Sequence, residues 1–208
     1  MFQILKEIFE SDIGKHLAFK WGTACYFLYS LDRFSTDLDF DLIDDGSVDQ
    51  VLEQILSRHG TLKKWNKMVL SYGEHDINIK IDVSRKIWKS NRYEIVNFYG
   101  TDIRVQDRAT IFANKLVAIT ERSTNRDIYD VWFFFKNMFP ISEAVVGERT
   151  GKTTWELLKV IEQKLKNLPK SYSILDGLGE VLTEKQKYFA REKLITELIG
   201  TLSFHQSF

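Results

Sequence analysis

Acidic and apolar residues alternate with a period of two between Asp37 and Leu42. Because successive side chains of a β-strand point to opposite faces, this alternation predicts a strand over about residues 38–43. One face of that strand would carry Leu38, Phe40 and Leu42, and the other Asp37, Asp39 and Asp41. A chain with this pattern must bury one side of a sheet and accommodate three carboxylates on the other.

Three carboxylates on one strand face need a physical reason. Asp is depleted in strands, and like charges on one sheet face repel each other. A solvated outer face is one explanation. A bound divalent cation is the sharper one, because its charge removes the repulsion and Mg²⁺ prefers carboxylate and phosphate oxygens. The pattern therefore favours a cation site, with the solvated face as the alternative.

A phosphate-binding turn is predicted just upstream. Residues 16–19 are typical of a strand, and a helical pattern follows from Thr23 to about Leu31. The first turn of a helix offers unpaired main-chain N–H groups to a phosphate, and Gly22 lets that phosphate approach closely. Cation ligands beside a phosphate cradle indicate chemistry on a nucleoside triphosphate.

A second alternating segment, residues 76–84, supplies one more acid. Its apolar members are Ile77, Ile79, Ile81 and Val83. If this strand pairs beside the first acidic strand, Asp82 can complete a carboxylate triad with Asp37 and Asp39. A solvated Asp82 is the alternative. Asp41 has no assigned part in this triad, and we expect it to be peripheral.

Composition limits the class of protein. The 208 residues have 44% hydrophobic content and a formal net charge of zero, so nucleic-acid binding must come from a local patch. Residues 85–93 mix four basic residues with two aromatic ones, which suits RNA, although a solvated loop is the alternative. The single Cys25 excludes an internal disulfide. Without a signal peptide or an apolar run long enough to span a bilayer, we expect a cytoplasmic protein with no membrane partner.

The stretch from Gly147 to Thr153 invites comparison with a nucleotide-binding phosphate loop. That motif needs four residues between its glycines, and only three separate Gly147 from Gly151. We therefore predict an ordinary loop here, capped by Thr153 or Thr154 ahead of a helix from Trp155.

Two strings carry a resemblance to a known family. Trp21-Gly22-Thr23 followed by Asp37-Leu38-Asp39 resembles the signature of the polymerase-beta-like nucleotidyltransferase superfamily. The fuller string, with Arg33 and Ser35, resembles the AbiEii-type toxin nucleotidyltransferases of bacterial type IV toxin–antitoxin systems, which usually carry Gly at the position of Trp21. A second string resembles a later signature of that group and consists of Lys115, Arg122, Arg126, Asp127, Tyr129 and Asp130.

The resemblance implies a fold and a set of site residues. The fold would be α+β, with a nucleotidyltransferase core of small mixed sheet over residues 1–106 and a helical domain over 107–208. Mg²⁺ or Mn²⁺ would be bound by Asp37, Asp39 and Asp82. The phosphates of the NTP would contact Gly22, Thr23, Ser35 and Lys115. Asp127 would join the three metal-binding acids as a further catalytic residue.

The implied activity is metal-dependent transfer of NMP from an NTP to an acceptor hydroxyl. By resemblance the acceptor is an RNA, the 3′ end of tRNA, and the protein is a toxin of a toxin–antitoxin or phage-defence system with a cognate antitoxin. Three alternatives stay open. They are the same chemistry on a small molecule or protein hydroxyl, a degenerate protein that binds NTP without turnover, and a non-enzymatic interaction protein.

Overall fold

The computed structural model describes residues 1–64, 68–71, 78–122 and 124–206. Contacts divide the chain into two compact units, Met1–Asp107 and Arg108–Phe208. The first unit contains a mixed β-sheet with helices, and the described part of the second is helical. The predicted α+β class with a mixed sheet is therefore confirmed.

One sheet contains every strand of the described residues. The strands are β1 Leu17–Lys20, β2 Leu38–Leu42, β3 Thr61–Lys64, β4 Met68–Ser71, β5 Ile79–Ser84, β6 Tyr93–Phe98 and β7 Thr101–Gln106. Their order across the sheet is β3-β4-β5-β2-β1-β7-β6. The pairs β2–β5 and β1–β7 are parallel and the remaining pairs are antiparallel. The two acidic strands, β2 and β5, are thus immediate neighbours.

The helices of the first unit are α1 Phe2–Glu10, α2 Trp21–Leu28 and α3 Asp49–Ser57, with a 3₁₀ turn over Asp12–His16. One face of the sheet is apolar, because Phe19 is the register partner of Phe40 and Leu17 that of Leu42. Removing this apolar surface from water is the main driving force for folding of the unit. The core members contributed by α1 and α3 are Ile4, Leu5, Ile8, Leu52, Ile55 and Leu56.

The helices of the second unit are α4 Arg108–Glu121, α5 Asn125–Lys136, α6 Glu143–Thr150, α7 Thr154–Lys166, α8 Glu184–Phe189 and α9 Ile195–His205. Side-chain caps fix several of their starts: Thr124 caps α5, and Thr153 forms a capping box with Glu156 at α7. A π-helical turn, Ala190–Leu194, joins α8 to α9.

The predicted loop around Gly147 is wrong, because that segment belongs to α6. Ser142 caps the helix, and Val145 and Val146 are buried on one side of it. Gly151 ends it in the left-handed conformation, at a φ of 67°. The two glycines therefore have ordinary positions in a short helix.

Two other predicted boundaries shift. Helix α2 begins at Trp21 and ends at Leu28, two to three residues earlier than predicted. Strand β5 begins at Ile79, and the first two residues of its predicted range, Asp76 and Ile77, lie outside the described residues. Within the parts of the chain that the structure describes, no helix is both long and apolar enough to cross a membrane.

Candidate active site

Asp39 and Asp82 are register partners on the parallel neighbours β2 and β5. Neighbouring strands lie about 4.8 Å apart and paired residues share a face, so the two carboxylates start from adjacent positions on one face of the sheet. Asp37 directly precedes β2. All three acids are half-buried, which leaves them open to a ligand on one side.

The donor chemistry of this group fits a hard divalent cation, since Mg²⁺ and Mn²⁺ prefer carboxylate oxygens. Among the described residues, no three or more His, Cys, Asp or Glu side chains are arranged as a ready metal-binding group. The register of Asp39 and Asp82 is compatible with a shared cation, and the metal site stays a prediction.

The predicted phosphate turn joins β1 to α2 and is tied to the loop that precedes β2. The hydroxyl of Thr23 is hydrogen-bonded to the Ser35 hydroxyl, at 2.8 Å, and to the main-chain carbonyl oxygen of Asp37. Gly22, Thr23 and Ser35 are all buried. These bonds hold the phosphate turn beside the start of the acidic strand.

Arg33 lies against this turn. A Cβ atom built on Gly22 would be 2.8 Å from Nη2 of Arg33 and 3.1 Å from the Ser35 hydroxyl oxygen, so the glycine makes room for the guanidinium group. Arg33 is only 3% exposed, and its Nη1 donates to the main-chain carbonyl of Phe34 at 3.1 Å. A guanidinium group is well suited to phosphate oxygens. In the sequence Arg33 is recognised only as part of a motif, with no role.

Trp21 adopts a left-handed backbone conformation with a φ of 66°. Glycine enters this region freely, whereas a residue with a Cβ atom pays about 1–2 kcal/mol. The turn therefore has the geometry that suits the glycine carried by the related group. Trp21 adopts the same geometry, and its backbone is strained there.

Asp41 is 2% exposed and forms the centre of a buried polar network. Its Oδ1 pairs with Nζ of Lys20 at 2.7 Å. Its Oδ2 accepts from Asn91 at 3.0 Å, from the hydroxyl of Tyr93 at 3.1 Å and from Gln106 at 2.6 Å. Alternation does not predict this burial, because it fixes the face of a strand residue and not its depth, and Asp41 still has no assigned part in the carboxylate triad.

Lys20 is a site residue that the sequence analysis missed. It is the register partner of Asp39, and it is 8% exposed. Its signal in the sequence is a lone lysine at the end of an otherwise apolar strand, immediately before Trp21 and Gly22. Its ammonium group lies on the acidic face and is paired with the carboxylate of Asp41.

A second cluster of charges lies within the helical unit, where α4 meets α5. Nζ of Lys115 is 2.7 Å from Oδ1 of Asp127 and 2.7 Å from Oδ2 of Asp130. Nε of Arg122 is 2.9 Å from Oδ2 of Asp127, and the hydroxyl of Thr124 donates to the same oxygen at 2.6 Å. Lys115 is 4% exposed, so it is a buried lysine and not one on the solvated surface of a helix.

The charges around Asp127 shift the pKa of its carboxyl group. Burial alone would raise the pKa of its carboxyl, but the charge and hydrogen bond of Lys115 oppose that effect. With the Thr124 hydroxyl and Arg122 added, the pKa of Asp127 falls well below its usual value. Asp127 is therefore ionised at neutral pH, and the cluster clamps α4 to α5.

The basic segment of residues 85–93 is partly engaged with the protein. Arg85 donates to the carboxylate of Asp49 at 2.6 Å, and Nζ of Lys86 lies 3.6 Å from the centroid of the Trp88 ring. The segment directly follows β5, which carries Asp82. RNA binding by this segment stays a prediction.

A protein-family model and solved structures match this chain. A model of the family described as "Nucleotidyl transferase AbiEii toxin, Type IV TA system" matches residues 3–170. The crystal structure of JHP933 from Helicobacter pylori has a TM-score of 0.57 at 19% identity, covering 100% of this chain and 92% of that one. A second H. pylori structure, described as a candidate nucleotidyltransferase, has a TM-score of 0.58 at 20% identity, with coverage of 99% and 94%. No protein with a curated description matches the sequence. At these identities the two structures show the fold alone.

Proposed function

Since the chain belongs to the AbiEii family of nucleotidyl transferase toxins of type IV toxin–antitoxin systems, we propose that it transfers NMP from an NTP to a hydroxyl of an RNA acceptor. The acceptor that we propose is the 3′ end of tRNA, and the place of action is the cytoplasm. Growth arrest, or protection against phage, would follow when no cognate antitoxin opposes the enzyme.

The observation that carries this proposal is the register of Asp39 and Asp82. Two acids on adjacent parallel strands, beside the turn that contains Gly22, would supply carboxylate ligands for a two-metal nucleotidyl transfer. Asp37, Asp39 and Asp82 would hold Mg²⁺ or Mn²⁺, which when bound neutralises the triphosphate and stabilises both the attacking and the leaving oxygen.

The residues of the phosphate turn would orient the triphosphate. Gly22 and Thr23 lie in the first turn of α2, so their main-chain N–H groups would serve the triphosphate, and the hydroxyl of Ser35 and the guanidinium of Arg33 lie beside this turn. An acid of the site would accept the proton of the acceptor hydroxyl. That oxygen forms a bond to the α-phosphorus while the bond from the α-phosphorus to the bridging oxygen breaks, and pyrophosphate leaves.

The proposed roles of Lys115 and Asp127 come from the family resemblance. In the second unit each is held by partners of opposite charge. Contact of Lys115 with NTP phosphates would require it to exchange a carboxylate partner for a phosphate. Asp127, with its lowered pKa, would enter the reaction as a carboxylate and not as an acid.

The experiment that tests the proposal incubates the purified protein with total cell RNA, Mg²⁺ and each of four labelled NTPs. We expect one or more labels to appear in RNA of tRNA size, and Asp39→Ala to abolish that incorporation and relieve any toxicity. Asp45→Ala removes an exposed acid from the turn after β2 and serves as the matched control. Label incorporation by Asp39→Ala at the parent level would contradict the proposal.

Transfer to a small molecule or a protein hydroxyl is the second candidate, because the chain has no net charge to attract RNA. It predicts label on a metabolite or on protein, and none on RNA. A third candidate, NTP binding without turnover, is favoured by the strained Trp21 in the phosphate turn. Calorimetry with Mg²⁺ and each NTP separates it from a simple interaction protein, which gives no metal-dependent heat of nucleotide binding.

A further inference from the structure

Six aromatic residues of the first unit form a continuous run of rings, which we call the aromatic strip. Successive ring centroids lie 5.8 Å apart for Phe34 and Tyr26, 5.6 Å for Tyr26 and Phe27, 5.6 Å for Phe27 and Phe98, 5.3 Å for Phe98 and Phe2, and 4.7 Å for Phe98 and Tyr99. None of the six is buried. The exposed fractions of Tyr26, Phe34 and Tyr99 are 37%, 39% and 81%.

One end of the strip lies at the phosphate turn. Phe34 is exposed between Arg33 and Ser35, both of which are buried against Gly22. The bond from Arg33 to the carbonyl of Phe34 fixes the backbone at this ring. Tyr26 lies one helical turn after Gly22 on α2, so both rings are anchored by residues of the phosphate turn.

The other end lies at the tip of the β6–β7 hairpin. Because Phe98 pairs with Thr101, the hairpin turn consists of Tyr99 and Gly100, with φ values of 48° and 86°. Such turns favour Asn-Gly, and a tyrosine with positive φ is strained. Neither burial nor backbone geometry accounts for an aromatic residue at this position. Unfavourable backbone conformations of this kind are enriched at functional sites.

We propose that the aromatic strip stacks the bases of the single-stranded RNA segment that leads to the acceptor hydroxyl. Every base has a flat face, so a row of partly exposed rings binds single strands of any sequence. The strip begins at the phosphate turn, where a strand must arrive to present its terminal hydroxyl. This inference rests on the proposed function and assigns the acceptor class to named residues.

A protein partner is the competing occupant of such a surface. The core of such an interface is enriched in aromatic residues, Met and Arg. In the described part of the first unit, the exposed Ile95 is three residues from Phe98 on β6, and strand alternation puts it on the opposite face of the hairpin. The strip instead adjoins the phosphate turn through Phe34, where an acceptor strand would arrive, and its flat ring faces suit bases.

The test uses Tyr99→Asn in the full chain, because asparagine suits the turn and the variant keeps its fold. Binding of a fluorescent single-stranded RNA oligonucleotide is followed by anisotropy at fixed salt. We expect about tenfold weaker binding, the size of one lost stacking contact. The KM for RNA should rise while kcat and the affinity for Mg²⁺–NTP stay at the parent values. Ile95→Ala removes an apolar group that is also exposed, at 64%, and should change none of these.

Two further results decide the proposal. Tyr26→Ala should weaken RNA binding in the same way as Tyr99→Asn, with the thermal transition checked for each variant. Parent-level RNA binding by both variants, with the parent protein active on RNA, overturns the strip assignment and leaves the proposed function intact. Loss of a protein partner from the variants, with RNA binding unchanged, overturns it as well. If the parent protein labels no RNA, the proposed function fails, whatever the anisotropy of these variants shows.

Discussion

Nζ of Lys20 lies 2.7 Å from Oδ1 of Asp41, and both side chains are almost completely buried on the acidic face of the sheet. Lys20 is also the register partner of Asp39. Asp41, which the proposed site does not use, therefore pairs with a lysine that is the register partner of Asp39, which the site does use. The Lys20–Asp41 pair therefore stabilises the first unit and also fixes the position of a lysine on the strand next to Asp39.

Asp41→Ala should destabilise the protein strongly. The substitution leaves the Lys20 ammonium buried without its partner, together with the donors of Asn91 and Gln106. Breaking a buried pair on one side costs about 3–5 kcal/mol. The matched control is Asp49→Ala, since Asp49 and Arg85 are each 55% exposed and their pair is worth about 1 kcal/mol or less. Urea denaturation measures both losses, and equal losses would show that burial of the Lys20 pair has no consequence.

The same residues show why part of the site was predictable and part was not. The strands β2 and β5 follow from period-two alternation, which is a local property of the sequence, whereas their pairing was only a condition of the predicted triad and is shown by the register of Asp39 and Asp82. The depth of Asp41 depends on Asn91 and Gln106, which are 50 and 65 residues away in the chain. No local pattern carries that information.

Local sequence patterns also fail to predict short helices and close contacts between loop residues. Helix α6 was missed because Gly147 and its polar neighbours weaken the helical pattern, whereas burial of Val145 and Val146 against the rest of the unit stabilises it. The contact of Arg33 with Gly22 depends on a loop conformation that spacing alone does not specify. The cap of α7, in contrast, is predicted to within one residue, as Thr153 or Thr154, because a threonine cap is a local motif, and the structure shows Thr153.

Gly22→Ala should weaken nucleotide binding. Its new methyl group would lie 2.8 Å from Nη2 of Arg33, so the guanidinium group must shift from its position in the phosphate turn. We expect about a tenfold loss of Mg²⁺–NTP affinity, the loss of one charge-assisted contact, in calorimetry. A methyl group at Gly147 meets nothing within 4 Å, so Gly147→Ala should bind as the parent does and be slightly more stable. Equal affinity of the Gly22 variant and the parent would remove Arg33 from the proposed site.

Trp21→Gly and Trp21→Ala together measure the strain in the phosphate turn. Both substitutions remove the indole ring, but only glycine relieves the positive φ of this position. Trp21→Gly should therefore be more stable than Trp21→Ala by about 1 kcal/mol in thermal or urea unfolding. If Trp21→Gly turns over an NTP that the parent only binds, the tryptophan is what makes this chain a degenerate enzyme.

The clamp around Asp127 should make stability depend on pH in the acid range. Since the folded-state pKa of Asp127 lies below its usual value of 3.8, the stabilisation is fully present at neutral pH. It is lost as pH falls below about 4, where the unfolded chain takes up the proton first. Asp127→Asn should be less stable at pH 7, and its free energy of unfolding should converge with that of the parent as pH falls. A constant difference between the two at every pH would contradict the lowered pKa.

The most direct measurement of the central claim is the rate of nucleotide transfer by Asp39→Asn, Asp82→Asn and the double variant. If the two register partners hold common cations, each single substitution disables the site, and the double variant is no slower than the slower single variant. If the two residues acted independently, the fold-loss in rate of the double variant would be the product of the two single fold-losses. An Asp82→Asn protein that transfers nucleotide at the parent rate would contradict the account, because only one of the two adjacent carboxylates would then take part in the reaction.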